Sequence, residues 1–242
     1  MARLTWLGHS TVLIEAGGQA LLTDPMLRQR VAHLRREASV DPALVAAVDT
    51  VLISHLHRDH LDIPSLRRLA GQPRVIAPDG SGPLLRRRRF KDVHEVGVGT
   101  SVERGELTIT ATQADHNGRR SPVSVVTPSL GFMVDGPSQI YFAGDTDLFD
   151  GMTQYAGADV ALLPISGWGP KTPPGHLNPE RAAKSLQLLE PKVVIPIHWG
   201  TYAPMHRARA GGGPELEFAE RAADLAPDVD VRILGVGESL EI

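Results

Sequence analysis

Four candidate metal ligands lie within six consecutive residues, in the segment His55-Leu56-His57-Arg58-Asp59-His60. In an extended segment His55 and His57 point to the same side, and a turn after Arg58 would direct Asp59 and His60 to an adjacent position. This spacing suits two neighbouring divalent ions better than one. Because the chain has no cysteine, thiolate ligands, disulfides and cysteine nucleophiles are excluded. Imidazole and carboxylate suit zinc, which is our first choice, and also manganese or iron.

Three further candidate ligands follow segments that read as strands. His116 comes after an alternating apolar and polar segment, and Asp145 and His198 come after short apolar segments. Functional residues of α/β proteins commonly occupy such loops at strand ends. The alternative is a chance cluster of solvated loop histidines, but partners of suitable type at three other strand ends argue against it.

The elements that would position these residues alternate between strand and helix along most of the chain. Strands are expected at 4–7, 11–15, 20–23, 50–54, 74–77, 107–112, 130–134, 139–143, 160–164, 192–197, 231–234 and 239–242. Helices are expected at 63–69, 82–90, 179–190 and 215–225, the third with Asn178 as its N-cap and Pro179 as its first residue. Because strand-rich stretches open both halves, we expect an α/β fold, one domain over 1–242 with two sheets packed face to face and helices outside.

Composition limits the class of protein. A length of 242 residues with 42% hydrophobic and 22% charged residues is ordinary for a globular protein, which argues against disorder. No apolar run approaches the roughly 18 residues of a membrane span, and no signal peptide is evident, so a cytoplasmic protein is expected. The net charge of −3 gives no support for nucleic-acid binding. We interpret the run Arg86 to Arg89 as a solvated helix face, with a phosphate-binding patch as the alternative.

The ligand pattern as a whole resembles the metallo-β-lactamase superfamily of hydrolases over most of the chain. The resemblance implies a four-layer αβ/βα sandwich of two mixed sheets with helices on the outer faces. It also implies seven ligands to two ions: His55, His57 and His116 at one, Asp59, His60 and His198 at the other, and Asp145 between them. Asp24 resembles an early aspartate of the superfamily that orients a ligand imidazole, and the alternative is a turn aspartate before Pro25.

Shorter segments resemble one subgroup of that superfamily. Gly8-His9-Ser10, Asp59-His60-Leu61-Asp62, 175–180 and 197–201 are similar to segments of L-ascorbate-6-phosphate lactonases and N-acyl phosphatidylethanolamine phospholipase D. The segment around His176 and the segment from His198 to Thr201 favour the phospholipase side. We therefore predict hydrolysis of a phosphodiester or of a lactone or ester.

The predicted mechanism uses a hydroxide that bridges the two ions. Two divalent ions, two carboxylates and that hydroxide leave one positive charge, which favours a small anionic substrate. We expect Asp59 to orient the attacking water and His176 to contact the substrate or leaving group. Trp168, Arg119 and His9 are expected to contact the substrate, with rim packing or solvated loop positions as alternatives.

Two other functions stay open at this stage. The first is a non-catalytic metal-bound protein of the same fold that binds or senses a ligand. The second is a nuclease, for which the sequence offers only the arginine run and which predicts steep salt dependence of binding. The formation of a homo-oligomer also stays open at this stage.

Overall fold

A computed structural model describes residues 1–120, 126–166, 172–204 and 213–242. Its strands, numbered β1 to β17 in chain order, are Arg3–Gly8, Thr11–Ala16, Gln19–Thr23, Arg30–Val31, Leu34–Arg36, Thr50–Leu52, Arg74–Pro78, Val93–Val96, Ser101–Arg104, Leu107–Gln113, Leu130–Asp135, Ile140–Phe142, Val160–Pro164, Val193–Ile197, Tyr202–Pro204, Asp230–Val231 and Ser239–Glu241. The α-helices α1 to α4 are Ile63–Leu66, Gly82–Arg87, Pro179–Leu189 and Pro214–Leu225. Two 3₁₀ helices lie at Pro42–Val45 and Asp150–Tyr155.

Two seven-stranded mixed sheets form the framework. The first sheet has the order β17-β1-β2-β3-β6-β7-β8, with antiparallel pairing up to β3 and parallel pairing from β3 to β8. The second sheet has the order β16-β14-β13-β12-β11-β10-β9, parallel from β16 to β12 and antiparallel beyond. Both sheets are therefore mixed, as the resemblance implied.

Alternate side chains of each strand divide the core into layers. On β2 the side chain of Ile14 lies in the buried cluster between the sheets, which also contains Phe132 and Phe142 of the second sheet. Its neighbour Leu13 points outward, into a layer that includes Ile63 of α1. The outer face of the second sheet is covered in the same way by α3 and α4. The four-layer sandwich with helices on its outer faces is thus confirmed.

Capping chemistry explains which helix boundaries the sequence predicts well. The Asn178 side chain accepts from the backbone N–H of Arg181 at 2.8 Å and Pro179 begins α3, as expected. The helix ends one residue early, because Glu190 takes a left-handed conformation with φ of 41°. The helix predicted at 63–69 is shorter, Ile63–Leu66, and the chain turns through left-handed Gly71 and Gln72 soon afterwards.

Two features differ from the prediction or add to it. A small sheet of order β15-β5-β4 was not predicted, because its strands are two or three residues long. The strand predicted at 231–234 is the short β16, Asp230–Val231, at the edge of the second sheet.

The side chains of Arg86 to Arg89 are all exposed at the end of α2, and Arg86 pairs with Glu95 at 2.6 Å.

Among the described residues, none of the helices has both the length and the apolar character needed to cross a bilayer.

Candidate metal centre

Loops from both sheets bring the candidate ligands to one rim of the sandwich. The segment from His55 to His60 follows β6 of the first sheet. His116, Asp145 and His198 follow β10, β12 and β14 of the second sheet. Strand-end loops thus bring together side chains that are distant in sequence, and they form two adjacent groups.

The first cluster consists of His55, His57 and His116, whose ligand atoms all lie within 4.8 Å of one another. Nδ1 of His57 lies 2.9 Å from Nε2 of His55 and 3.2 Å from Nε2 of His116. Burial holds the pKa of His55 well below its usual value and lowers the pKa of His116 to about 4. The imidazoles are therefore neutral at physiological pH, which is the form that binds metals.

The second cluster consists of His9, Asp59, His60 and His198, also within 4.8 Å. Oδ2 of Asp59 lies 3.1 Å from Nε2 of His9, 3.5 Å from Nε2 of His60 and 3.8 Å from Nε2 of His198. Burial opposes ionisation of Asp59, yet His60 and the hydrogen-bonded His9 hold its pKa well below the usual value. This cluster therefore presents an ionised carboxylate together with three ring systems.

Asp145 lies between the two clusters. Its Oδ2 is 3.0 Å from Nε2 of His60, 3.4 Å from Nε2 of His198 and 3.9 Å from Nε2 of His55. Burial opposes ionisation here as well, but His198 and His60 hold the pKa of this carboxyl well below its usual range. One carboxylate thus faces nitrogen atoms of both clusters.

Hydrogen bonds behind the ligands set the direction of the ring nitrogens. Oδ2 of Asp24 accepts from Nδ1 of His60 at 2.7 Å and from Oγ of Ser54 at 2.5 Å. Because the hydroxyl hydrogen of Ser54 points to Asp24, Ser54 Oγ accepts a hydrogen bond from Nδ1 of His55 at 2.9 Å. In the first cluster, Nδ1 of His116 donates to the carbonyl of Gly175 at 2.8 Å. In each of the three rings Nε2 is therefore the nitrogen that faces the centre.

The donor set fits divalent cations. Within the described residues, the buried Oδ1 of Asp145 has no hydrogen-bond partner. Buried polar atoms without a partner are rare and need an explanation. Burial disfavours the charged form of His60, but Asp145, Asp59 and Asp24 together raise its pKa well above the usual value. Without a metal, the carboxylates therefore favour a protonated His60. A bound cation would supply the positive charge that this proton supplies in its absence.

Residues 12–199 match the family model described as "Beta-lactamase superfamily domain". The chain belongs to this family. It is 34% identical to the UPF0173 metal-dependent hydrolase of Methanopyrus kandleri, over 99% of both chains. It is 33% identical to the corresponding protein of Pyrococcus furiosus, over the whole of both chains. Among solved structures it is similar to Igni18, a metallo hydrolase of the archaeon Ignicoccus hospitalis, with a TM-score of 0.74 and 26% identity over 100% of this chain and 99% of that one.

These findings make the chain a metal-dependent hydrolase of the metallo-β-lactamase superfamily. The family resemblance predicted from the sequence is confirmed. The narrower likeness to the lactonase and phospholipase subgroup stays a prediction.

Backbone strain in this hydrolase is found at the centre. His9, Asp24 and His198 have φ angles of 54°, 30° and 62°. Non-glycine residues seldom adopt this left-handed region, and where they do, the surrounding structure must hold them there. The sequence offers no signal for this conformation, because it arises from long-range contacts.

His176 lies beside the shared carboxylate. Its Nε2 is 3.4 Å from Oδ2 of Asp145, and its ring centroid is 4.5 Å from that of His116. Burial alone would lower the pKa of His176, but the hydrogen bond and charge of Asp145 raise it. Arg181 donates from Nη2 to the His176 carbonyl at 2.5 Å and pairs with Asp147 at 2.9 Å, which ties the loop to the first turn of α3.

The remaining predicted substrate contacts differ in position. His9 lies within the second cluster, Arg119 is exposed outside both clusters, and Trp168 falls outside the described residues. The neighbouring Arg120 has a structural contact instead. Its Nη1 donates to the carbonyls of Leu56 at 2.8 Å and Leu61 at 3.0 Å, so it braces the ligand segment.

Sequence reasoning missed two supporting residues. Ser54 joins Asp24 to His55, and its position directly before the ligand motif was the available signal. The guanidinium of Arg36 is buried beneath the centre and donates to the carbonyls of Leu7 and Met26, the latter at 2.7 Å. No local pattern distinguishes Arg36 from the neighbouring exposed arginines, so only the fold reveals it.

Proposed function

We propose that this chain is a dinuclear metal-dependent hydrolase that cleaves a phosphodiester, or a lactone or ester, in a small anionic substrate. The observation that supports two ions is the arrangement of two adjacent ligand clusters around one carboxylate, Asp145. A single ion would leave the nitrogen atoms of one cluster without a cation to bind.

The proposed ligand set follows the two clusters. The proposed ligands are His55, His57 and His116 for one ion, Asp59, His60 and His198 for the other, and Asp145 for both. Zinc is the first candidate, and manganese and iron suit the same donors. When bound, such ions lower the pKa of a coordinated water and act as Lewis acids toward a carbonyl or phosphoryl oxygen. Asp24, through His60 and Ser54, orients the rings for this task.

The charge of the ligands supports an anionic substrate. Asp59 and Asp145 offset only half of the positive charge of two divalent ions, so the centre attracts a negatively charged group. Asp59 is the proposed residue that accepts a proton from the attacking water and orients it. Arg119 and Trp168 are assigned to substrate contact by sequence reasoning alone.

His176 is the proposed contact to the scissile group or leaving group. Its side chain is 15% exposed and lies over Asp145, so its ring reaches both the centre and the solvent side. An imidazole at this position can transfer a proton to a leaving oxygen.

We also propose that the whole chain forms one hydrolase domain. The family match ends at residue 199, but β17 returns to pair with β1 in the first sheet, with Leu4 opposite Leu240. The last segment of the chain thus completes the sheet that carries the ligand motif.

The test combines elemental analysis with an activity screen. Purified protein is stripped with chelator, reloaded with zinc, manganese or iron, and assayed on bis(p-nitrophenyl) phosphate and on simple lactones and esters. We expect two ions per chain and turnover of one substrate class that chelation abolishes. Asp145→Asn should lose turnover, whereas the exposed Asp150→Asn serves as a matched control and should retain it.

Each other outcome overturns part of the proposal. One ion per chain at saturation would refute the dinuclear centre. Two ions without turnover of any substrate would favour a ligand-binding or sensor protein instead. Turnover that survives complete removal of metal would refute the mechanism.

A further inference from the structure

The side chain of His9 lies closer to the proposed ligands than a residue in the wall of a substrate pocket would. Its side chain is 6% exposed, and its Nε2 lies 3.1 Å from Oδ2 of Asp59. Its ring centroid lies 4.0 Å from that of His198. The imidazole is therefore packed among the proposed ligands rather than facing a substrate space.

The backbone around His9 is held in a strained conformation by three hydrogen bonds. Its carbonyl accepts from Nε1 of Trp6 and from the backbone N–H of His198, both at 2.9 Å. Its own N–H donates to Oγ1 of Thr201 at 2.5 Å. Two of these contacts come from Thr201 and His198, far away in the sequence, and together the three bonds hold the backbone of His9 in the left-handed region.

Asp59 is the proposed ligand carboxylate that most needs such support. Its side chain is 20% exposed, compared with 2% for Asp145 and 0% for Asp24. A carboxylate at the solvent edge has more conformational freedom, and ordering it costs free energy when a metal binds. A hydrogen bond from a rigid donor removes part of that freedom.

We propose that His9 is a positioning residue for Asp59. An ionised carboxylate only accepts hydrogen bonds, so Nε2 of His9 carries the proton and donates it to Oδ2 of Asp59. A protonated Nε2 has no lone pair for a metal, so this nitrogen is not a metal ligand. His9 thus does for a ligand carboxylate what Asp24 does for the ligand imidazole of His60. This inference rests on the metal centre of the proposed function.

Three variants distinguish three possible roles of His9: a positioning residue, a metal ligand, or a residue that only packs against the centre. His9→Leu keeps much of the side-chain volume and removes the donor. His9→Gln places an amide N–H near the original Nε2. His9→Asn suits the left-handed backbone, but its amide ends one bond short of that position, so it reports backbone strain without the donor. His33→Leu and His33→Gln, at an exposed histidine, are the matched controls.

The measurement is metal binding, not activity alone. Stripped protein is titrated with Zn²⁺ against a competing chelator, and with Co²⁺ while its visible absorption is recorded. We expect His9→Leu and His9→Asn to bind two ions, with the weaker-bound ion released about 10- to 100-fold more readily. His9→Gln should recover most of that loss, and all three variants should keep the wild-type number of ligands in the Co²⁺ spectrum. The His33 variants should match the wild type.

Other results refute the inference in distinguishable ways. If His9→Gln is as defective as His9→Leu and the Co²⁺ spectrum shows a lost ligand, His9 is a ligand. If His9→Leu binds both ions like the wild type, His9 only packs against the centre and does not position Asp59. If the wild type itself binds no metal, the proposed function fails whatever the variants do.

Discussion

Asp24→Asn tests whether hydrogen bonds behind the ligands control metal binding. Asp24 is completely buried and accepts from Nδ1 of His60 at 2.7 Å, from Oγ of Ser54 at 2.5 Å and from the backbone N–H of Ser54 at 2.8 Å. Asparagine has nearly the same shape, so packing is preserved. The change replaces one of the two acceptor oxygens by an NH₂ group, which only donates.

No orientation of the new amide satisfies all of its neighbours. If its oxygen stays opposite the Ser54 N–H, the NH₂ group faces Nδ1–H of His60. That ring must then move its proton to Nε2, the atom that faces Asp145 at 3.0 Å. If the amide is turned over, the NH₂ group faces the Ser54 N–H instead. The first orientation costs the second cluster the prepared Nε2 of His60, and the second costs the backbone N–H of Ser54 its buried acceptor.

The expected loss is about 10- to 100-fold in affinity for one ion, equivalent to about 1.4 to 2.8 kcal/mol. Competition titration with a chelator measures it, and elemental analysis gives the number of ions retained. Asp41→Asn is the matched control, because the exposed Asp41 caps the 3₁₀ helix Pro42–Val45 and asparagine caps equally well. If Asp24→Asn bound metal as tightly as the wild type, the orientation argument would be wrong.

Two further predictions concern the support beneath the centre, and both are measured by urea unfolding of metal-free protein. Gly8→Ala should destabilise the fold by about 1 to 3 kcal/mol more than Gly18→Ala. Both glycines have positive φ, but a Cβ on Gly8 would lie 2.7 Å from Nη2 of Arg36, whereas nothing lies within 4 Å at Gly18; equal losses would refute the steric reason. Arg36→Met should cost about 1 to 3 kcal/mol for the carbonyl of Leu7, which loses its Arg36 donor, whereas the carbonyl of Met26 keeps a longer hydrogen bond, 3.4 Å, from the Tyr202 hydroxyl. A variant of unchanged stability would mean that another donor reaches the carbonyl of Leu7.

Local chemistry accounts for the parts of the fold that the sequence predicts best. Asn178 and Pro179 define the start of α3 because capping and the fixed φ of proline act within one turn. The alternation of apolar and polar residues in 107–112 likewise predicts the half-buried strand β10, because successive side chains of a strand point to opposite faces. By contrast, the strand pair of β4 and β5 contains only five residues, so its periodicity carries too little information.

The candidate site is likewise predictable from the sequence only in part. Ligand types and strand-end positions can be read from the sequence, and the structure brings His55, His116 and His198 to one rim. The left-handed backbone of Asp24 and the burial of Arg36 cannot be read in this way. Both depend on contacts between segments far apart in the chain, which no local pattern records.

The position of the centre between the two sheets links metal binding to folding. The backbone N–H of His198, after a strand of the second sheet, donates to the carbonyl of His9, after a strand of the first, at 2.9 Å. The N–H of Leu130 joins the carbonyl of Ser54 across the same junction, also at 2.9 Å. The two clusters of candidate ligands therefore exist only when the sheets are packed together. Because the unfolded chain has no such site, the free energy of metal binding adds to the stability of the folded state, and it offsets the strained backbone and buried carboxylates that the centre requires.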